Sequence, residues 1–303
     1  MVEMRQLDTN RGIYFLLFLV MLSWTLGIVV AKWVGTKASP LEISFWRWML
    51  ASLFLFPFSA RELCVERKLL LRDILKIIFL GLFIAGGSTL LILSVQFTSV
   101  FNASLVSAVQ PAATLLLVSL LFWRRISLTQ LSGIIMAAVG VLVLLFEMDI
   151  VNIIDLSLNR GDLLVLFAVF LYSAYTIYAT RWLYWASATT IMFLSSVIAT
   201  LLLGLLCFFL DAFYSFVDVN ITLAGAVLFL ALIPTAFATT LWNYSVARVG
   251  PNKASAFINL LPLLGAIWSL LFFGETLYSY HIVGGFLTCL GITMSLIEKN
   301  KVD

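Results

Sequence analysis

Ten apolar runs, each close to the length needed to cross a bilayer, dominate this sequence of 303 residues. A hydrocarbon core about 30 Å thick takes roughly 20 consecutive apolar residues as a helix. The runs lie near 12–32, 41–58, 74–94, 103–123, 127–146, 162–181, 189–210, 221–243, 253–273 and 279–297. Lipid offers no water to backbone N–H and C=O groups, so only helices and closed barrels span it. A barrel would read as short segments of alternating polarity. These runs are long and continuous. The expected fold class is therefore an all-α integral membrane protein with ten transmembrane helices and no soluble domain. Composition agrees: 63% of residues are hydrophobic and 11% charged, against about 25% charged in soluble domains. The first run, from about Gly12 to Val34, is longer than the 7–15 apolar residues of a signal peptide. It reads as a spanning helix, not a cleaved leader.

Basic residues set the orientation, because cytoplasmic loops carry an excess of Lys and Arg. With the N-terminus inside, 14 of the 18 basic residues fall on the cytoplasmic side. Lys32, Lys37 and Arg160 fall on the other side, and Arg47 lies within a span. Both termini are expected in the cytoplasm.

Several chemistries are excluded early. Cys64, Cys207 and Cys289 are far apart and have no zinc or disulfide spacing. His281 is the sole histidine, which leaves no basis for a His-based metal site or a catalytic triad. The acids are scattered, so an enzyme is not expected, nor any metal or cofactor. No basic stretch suits nucleic acid. The expected partners are the lipid bilayer and a small-molecule substrate, while the oligomeric state stays open.

Residues 94–141 align with 245–292 at a constant offset of 151, without gaps. Pro111 meets Pro262, Phe122 meets Phe273, Gly133 meets Gly284 and Gly140 meets Gly291. A weaker echo pairs Lys32-Trp33 with Arg181-Trp182. The expected organisation is two five-helix repeats, 1–150 and 151–303. An odd number of spans makes the second repeat enter the membrane from the opposite side. Inverted-topology repeats of this kind serve secondary transporters, whose two halves alternate access.

Residues 238–292 carry Leu241-Trp242-Asn243-Tyr244, Arg248-Val249-Gly250, Ala254-Ser255, Pro262, Gly274-Glu275, Gly284 and Gly291. With Ser23-Trp24, Gly27, Lys32, Pro40, Arg47 and Gly161-Asp162, the chain resembles the EamA-like branch of the drug/metabolite transporter superfamily. It departs after the fourth span, where Trp123-Arg124-Arg125 stands in place of a Gly-Glu pair. The resemblance implies an inner-membrane exporter or exchanger of amino acids or related metabolites. Nucleotide sugars, phosphorylated metabolites and drugs are the alternative cargoes.

Polar groups inside a span are costly unless they face the bundle interior. Ser104, Ser107, Gln110 and Thr114 share a face of the fourth span, and Ser255, Asn259, Pro262 and Ala266 share one of the ninth. Either these faces line a cavity or they pack helix on helix. The candidate substrate-binding residues are Trp24, Arg47, Gln110, Tyr175, Asn243 and Asn259. Arg47 either meets a substrate anion, snorkels to the interface or pairs with Glu42. Trp242 and Tyr244 are either cavity or interfacial-belt residues. Pro111 and Pro262 each free a carbonyl four residues earlier, that of Ser107 and that of Ile258, and are the candidate hinges. No acid lies at mid-span, which favours facilitated diffusion or exchange. Glu275 is expected to cap the tenth helix; a pair with His281 is the other reading.

Overall fold

The computed structural model describes residues 2–35, 37–123, 126–149, 159–182, 184–212, 221–249, 254 and 256–295. These residues contain helices and no strand. In chain order they are α1 (Val2–Gly35), α2 (Pro40–Val65), α3 (Arg67–Arg72), α4 (Ile74–Ser94), α5 (Val100–Ser107), α6 (Gln110–Phe122), α7 (Leu128–Leu145), α8 (Arg160–Trp182), α9 (Ala188–Phe209), α10 (Ile221–Leu230), α11 (Thr239–Val249), α12 (Leu260–Phe273) and α13 (Ser279–Ser295). A π-helical stretch, Ala231–Ala238, joins α10 to α11, and a 3-10 turn, Ala256–Asn259, precedes α12. Eight helical stretches among the described residues are long and apolar enough to cross a membrane; α5–α6 and α10–α11 each count as one. Phe257–Phe273 is a shorter apolar helix, and α13 has 17 residues. The protein is an all-helical integral membrane protein.

The fourth run is not the continuous helix its apolar pattern suggests. α5 ends at Ser107 and α6 starts at Gln110, one residue before Pro111. In the ninth run the 3-10 turn gives way to α12 two residues before Pro262. The physical cause is the same in both places. Proline lacks an N–H and its ring crowds the carbonyl four residues back, so α-geometry fails just ahead of it.

The helices interleave. α2 packs on α9, α4 on α8 and α9, α5 on α12, α6 on α8, and α1 on α11 and α12. In each of these pairs one helix comes from residues 1–149 and the other from residues 159–295. The closest pair is α7 with α13. A Cβ added to Gly133 would lie 2.6 Å from the carbonyl oxygen of Gly291, and one on Gly140 would lie 2.8 Å from that of Gly284. A Cβ on Gly291 would lie 2.3 Å from the backbone nitrogen of Ala137. The backbones touch, as small residues allow in lipid, where packing rather than hydrophobic burial joins helices. The contacts run antiparallel. They are also reciprocal under the offset of 151, Gly133 to Gly291 and Gly284 to Gly140, the pattern of an isologous contact.

Candidate substrate cavity

A cavity opens between α1, α2, α4, α6, α8, the π stretch and α11. The space between its walls is ≈ 1010 Å³, open mouth included, on the scale of small-molecule sites. Four of the six sequence candidates line it: Trp24, Arg47, Gln110 and Tyr175. The helical phase explains why. Arg47 and Trp48 are the inward positions of α2, whereas Phe54, Phe56 and Phe58 on the same helix are exposed, as lipid-facing residues are. In α8, Tyr172, Tyr175 and Thr176 fall at three- and four-residue spacing on the cavity face.

Asn243 and Asn259 are not among the lining residues. Asn243 lies one layer behind, where its Nδ2 donates to the Tyr175 hydroxyl at 3.2 Å. Asn259 ends the 3-10 turn, and its buried Oδ1 lacks a hydrogen-bond partner. The neighbouring inward residue is Leu261. A 3-10 turn advances 120° per residue instead of 100°, so the face expected from a regular helix is rotated away. Of the fourth-span set, Ser107 and Gln110 line the cavity. Ser104 instead packs on α12, where a Cβ on Gly265 would lie 2.4 Å from its own Cβ.

Trp242 belongs to the wall, not to an interfacial belt. Its ring centroid is 5.3 Å from that of Trp24. Trp48 is fixed by a 3.0 Å hydrogen bond from Nε1 to Ser88 Oγ. The sequence reading missed Trp48, along with Pro234 and Thr235, and passed over Thr239. A proline in the middle of the eighth run was the available signal. Here it produces the π stretch, and the hydroxyls of Thr235 and Thr239 donate to the carbonyls of Leu230 and Pro234 at 2.7 and 3.1 Å. Pro234 presses on Gly27 of α1, where a Cβ would meet its ring carbon at 3.0 Å.

Arg47 is 8% exposed, and its Nε and Nη2 are buried without a hydrogen-bond partner. Its Cζ lies 5.2 Å from the Trp48 ring centroid. It lines the cavity and does not snorkel to an interface.

One end of the bundle carries a polar network. Lys32 of α1 pairs with Glu275 and donates to the Thr98 carbonyl at 3.2 Å. Ser269 donates to the second oxygen of Glu275. Asp162 accepts from Thr98 and Asn102. Glu275 is therefore a partner of Lys32 and not the cap of α13, which starts four residues later. His281 Nδ1 accepts the Tyr278 N–H at 2.9 Å.

The other end is built differently. Arg181 lies over Phe122, 3.9 Å from its centroid, and Tyr178 stacks on Trp182 at 4.1 Å. Tyr178 thus leaves the aromatic face that Tyr172 and Tyr175 form. Glu62 of α2 accepts from Ser187 Oγ at 2.6 Å and from the Ser187 N–H at 2.8 Å. Asp73 accepts from Arg72 at 2.7 Å, Lys76 at 2.8 Å and Trp185 at 3.0 Å. The Arg72 guanidinium chiefly, with Lys76 and Trp185, holds the Asp73 carboxyl well below the usual carboxylate range.

The sequence of the EamA-like transporter family matches residues 11–146 and 159–297. The chain is 24% identical over 264 residues to "Uncharacterized transporter YyaM" of Bacillus subtilis (strain 168), covering 87% of this chain and 86% of that one. It is 27% identical over 298 residues to "Probable amino-acid metabolite efflux pump" of Salmonella typhimurium, covering 93% and 94%. A protein of known crystal structure superposes with a TM-score of 0.63 at 15% identity, over 94% of this chain and 97% of that one; it shares the fold. With both matched segments spanning nearly all of this helical membrane chain, the protein is a transporter and belongs to the EamA-like transporter family.

Proposed function

We propose that the protein moves small organic solutes by alternating access, as an exporter or exchanger of amino acids or related metabolites. It would do so in a bacterial inner membrane with both termini in the cytoplasm. Phe257–Phe273 and α13, at 17 residues, reach the short end of the spanning range. They bring the spans to ten, in two inverted repeats, 1–150 and 151–303. The reciprocal glycine contacts of α7 and α13 support the two-fold relation. The observation that carries the reading is the cavity, because its wall draws helices from both halves and includes residues beside both interrupted helices. Trp24, Arg47, Gln110 and Tyr175 contact substrate; Asn243 positions Tyr175. Pro111 and Pro262 are the hinges, and Asn259 sits at the second of them. The name of the Salmonella relative supports the choice of cargo.

Purified protein in liposomes tests this. Loading with unlabelled amino acids and their derivatives should drive counterflow of the labelled compound at least tenfold above empty liposomes. Flux no greater than in empty liposomes for the whole panel removes the proposal. The double variant Pro111→Ala/Pro262→Ala should slow flux about tenfold with binding retained; an unchanged rate makes the prolines packing features only.

A further inference from the structure

The charges lining the cavity restrict its cargo further. Among the lining residues there is one cation, Arg47, and no carboxylate. Removing an ion from water costs several kcal/mol unless partners replace the lost hydration. Arg47 is over nine-tenths buried, yet Nε and Nη2 are without hydrogen-bond partners. Guanidinium presents those N–H groups as a planar fork matched to a carboxylate.

The lining serine and threonine hydroxyls are already committed. Ser88 and Ser107 donate to the carbonyls of Ala85 and Ala103 on their own helices, at 3.0 and 2.6 Å. Thr176 donates to that of Tyr172 at 2.9 Å, and Thr235 and Thr239 are likewise engaged. These helical hydroxyls turn their protons away from a ligand. Apart from the Gln110 amide, the rest of the wall is apolar or aromatic, including Trp24, Trp48, Tyr172, Tyr175 and Trp242.

We infer that the preferred cargo is a monoanion, a carboxylate on an aromatic or branched apolar body without a charged amine, with Arg47 holding the carboxylate. This rests on the transport reading above and narrows it. A monoanion neutralises the single charge that lines the cavity. A cation adds to it. A zwitterion brings an ammonium for which the wall holds no carboxylate. A phosphate dianion leaves one charge uncompensated. Among amino-acid relatives, the class selected is the one whose amine is acylated or absent.

Four indole compounds of one shape and different charge test the inference: N-acetyl-tryptophan, N-acetyl-tryptophanamide, tryptophan and tryptamine. N-acetyl-leucine and its amide supply a second body, and indoxyl phosphate a dianion. Calorimetric titration of the detergent-purified protein should show each N-acetyl anion binding at least tenfold tighter than its amide. Tryptophan, tryptamine and indoxyl phosphate should bind more weakly than N-acetyl-tryptophan. Arg47→Gln should reduce the anion to the affinity of the amide and leave the amide within about twofold; Arg47→Lys should keep part of the preference. The wild-type comparison needs no variant to fold. An anion no tighter than its amide on both bodies, or a tighter tryptophan or tryptamine, overturns the inference. Liposome flux of the same compounds separates it from the transport reading. Anion-selective binding without flux defeats transport alone, whereas flux of amines or zwitterions without anion preference defeats the monoanion alone.

Discussion

The two ends of the bundle begin from the same parts and finish differently. Lys32, near the end of α1, lies over Phe273, and Arg181, near the end of α8, lies over Phe122. Asp162 anchors the start of α8 to the Lys32 network, so Arg181, 19 residues on, is about 28 Å away along the helix. The two phenylalanines are 151 residues apart, and so are the left-handed residues that end α12 and α6, Gly274 at φ 60° and Trp123 at φ 52°. Then the charges part. Glu275 follows Gly274 and completes an ion pair with Lys32, whereas Arg124 follows Trp123. The two ends share the shape and not the charge. The Lys32 end holds an ion pair whose side chains are 24% and 19% exposed, more sheltered than the surface pairs that contribute little. At the Arg181 end the paired acids are Glu62, bonded to Ser187, and Asp73, bonded to Arg72, Lys76 and Trp185. On the proposed alternating-access reading, the two closed forms would differ in energy through these few side chains.

The comparison can be broken most severely at the seam both ends share. Gly291→Leu puts a side chain into the backbone of α7 and should cost more than about 3 kcal/mol. Loss of monodisperse protein on size-exclusion chromatography is expected; a normal yield with an unchanged melting temperature would show that the seam gives way.

Lys32→Glu sets two carboxylates against each other and should slow transport about tenfold, equivalent to about 1.4 kcal/mol. The exchange Lys32→Glu/Glu275→Lys should recover most of it. A double variant as slow as the single one would mean that the two residues act separately.

Arg124→Glu gives the Arg181 end, by sequence register, the charge pattern of its counterpart. Turnover should fall about threefold, roughly 0.7 kcal/mol. Labelling of a cysteine placed at Ser107, in the cavity wall, should drop for a maleimide applied from the Arg181 side. Unchanged labelling would remove the register argument.

Asp73→Asn is the smallest perturbation. The folded carboxyl titrates below its unfolded value of about 4, so its stabilisation is present above pH 4 and fades as pH falls toward the folded value. The variant should melt about 2 °C below wild type at pH 7. The gap should narrow only below about pH 4; a gap that widens there contradicts the assignment.

The spans were legible because lipid imposes one length on every helix, and Trp24, Arg47, Gln110 and Tyr175 because polar or aromatic residues deep in an apolar run have few places to face. Asn259 was not, because its placement assumed α-geometry through a segment that is 3-10 helical. Asn243 follows a π stretch of eight residues, which shifts phase in the same way. The Lys32–Glu275 pair joins residues 243 apart, and no local pattern forecasts a contact set by how α1 packs on α12. Glu275 looked like a helix cap for that reason.

The interleaving of the two halves also governs how the chain is made. α2, α4, α5 and α7 have their principal partners, α9, α8, α12 and α13, in the second half. Ribosomes add roughly 5–20 residues per second, so the first half waits on the order of 10–30 s in the bilayer before its counterpart is complete. During that interval Arg47 and the glycine faces of α7 lack the helices that later enclose them. The burden of quality control thus falls on the first 150 residues, and a substitution in α13 would be felt as a newborn first half left without its match.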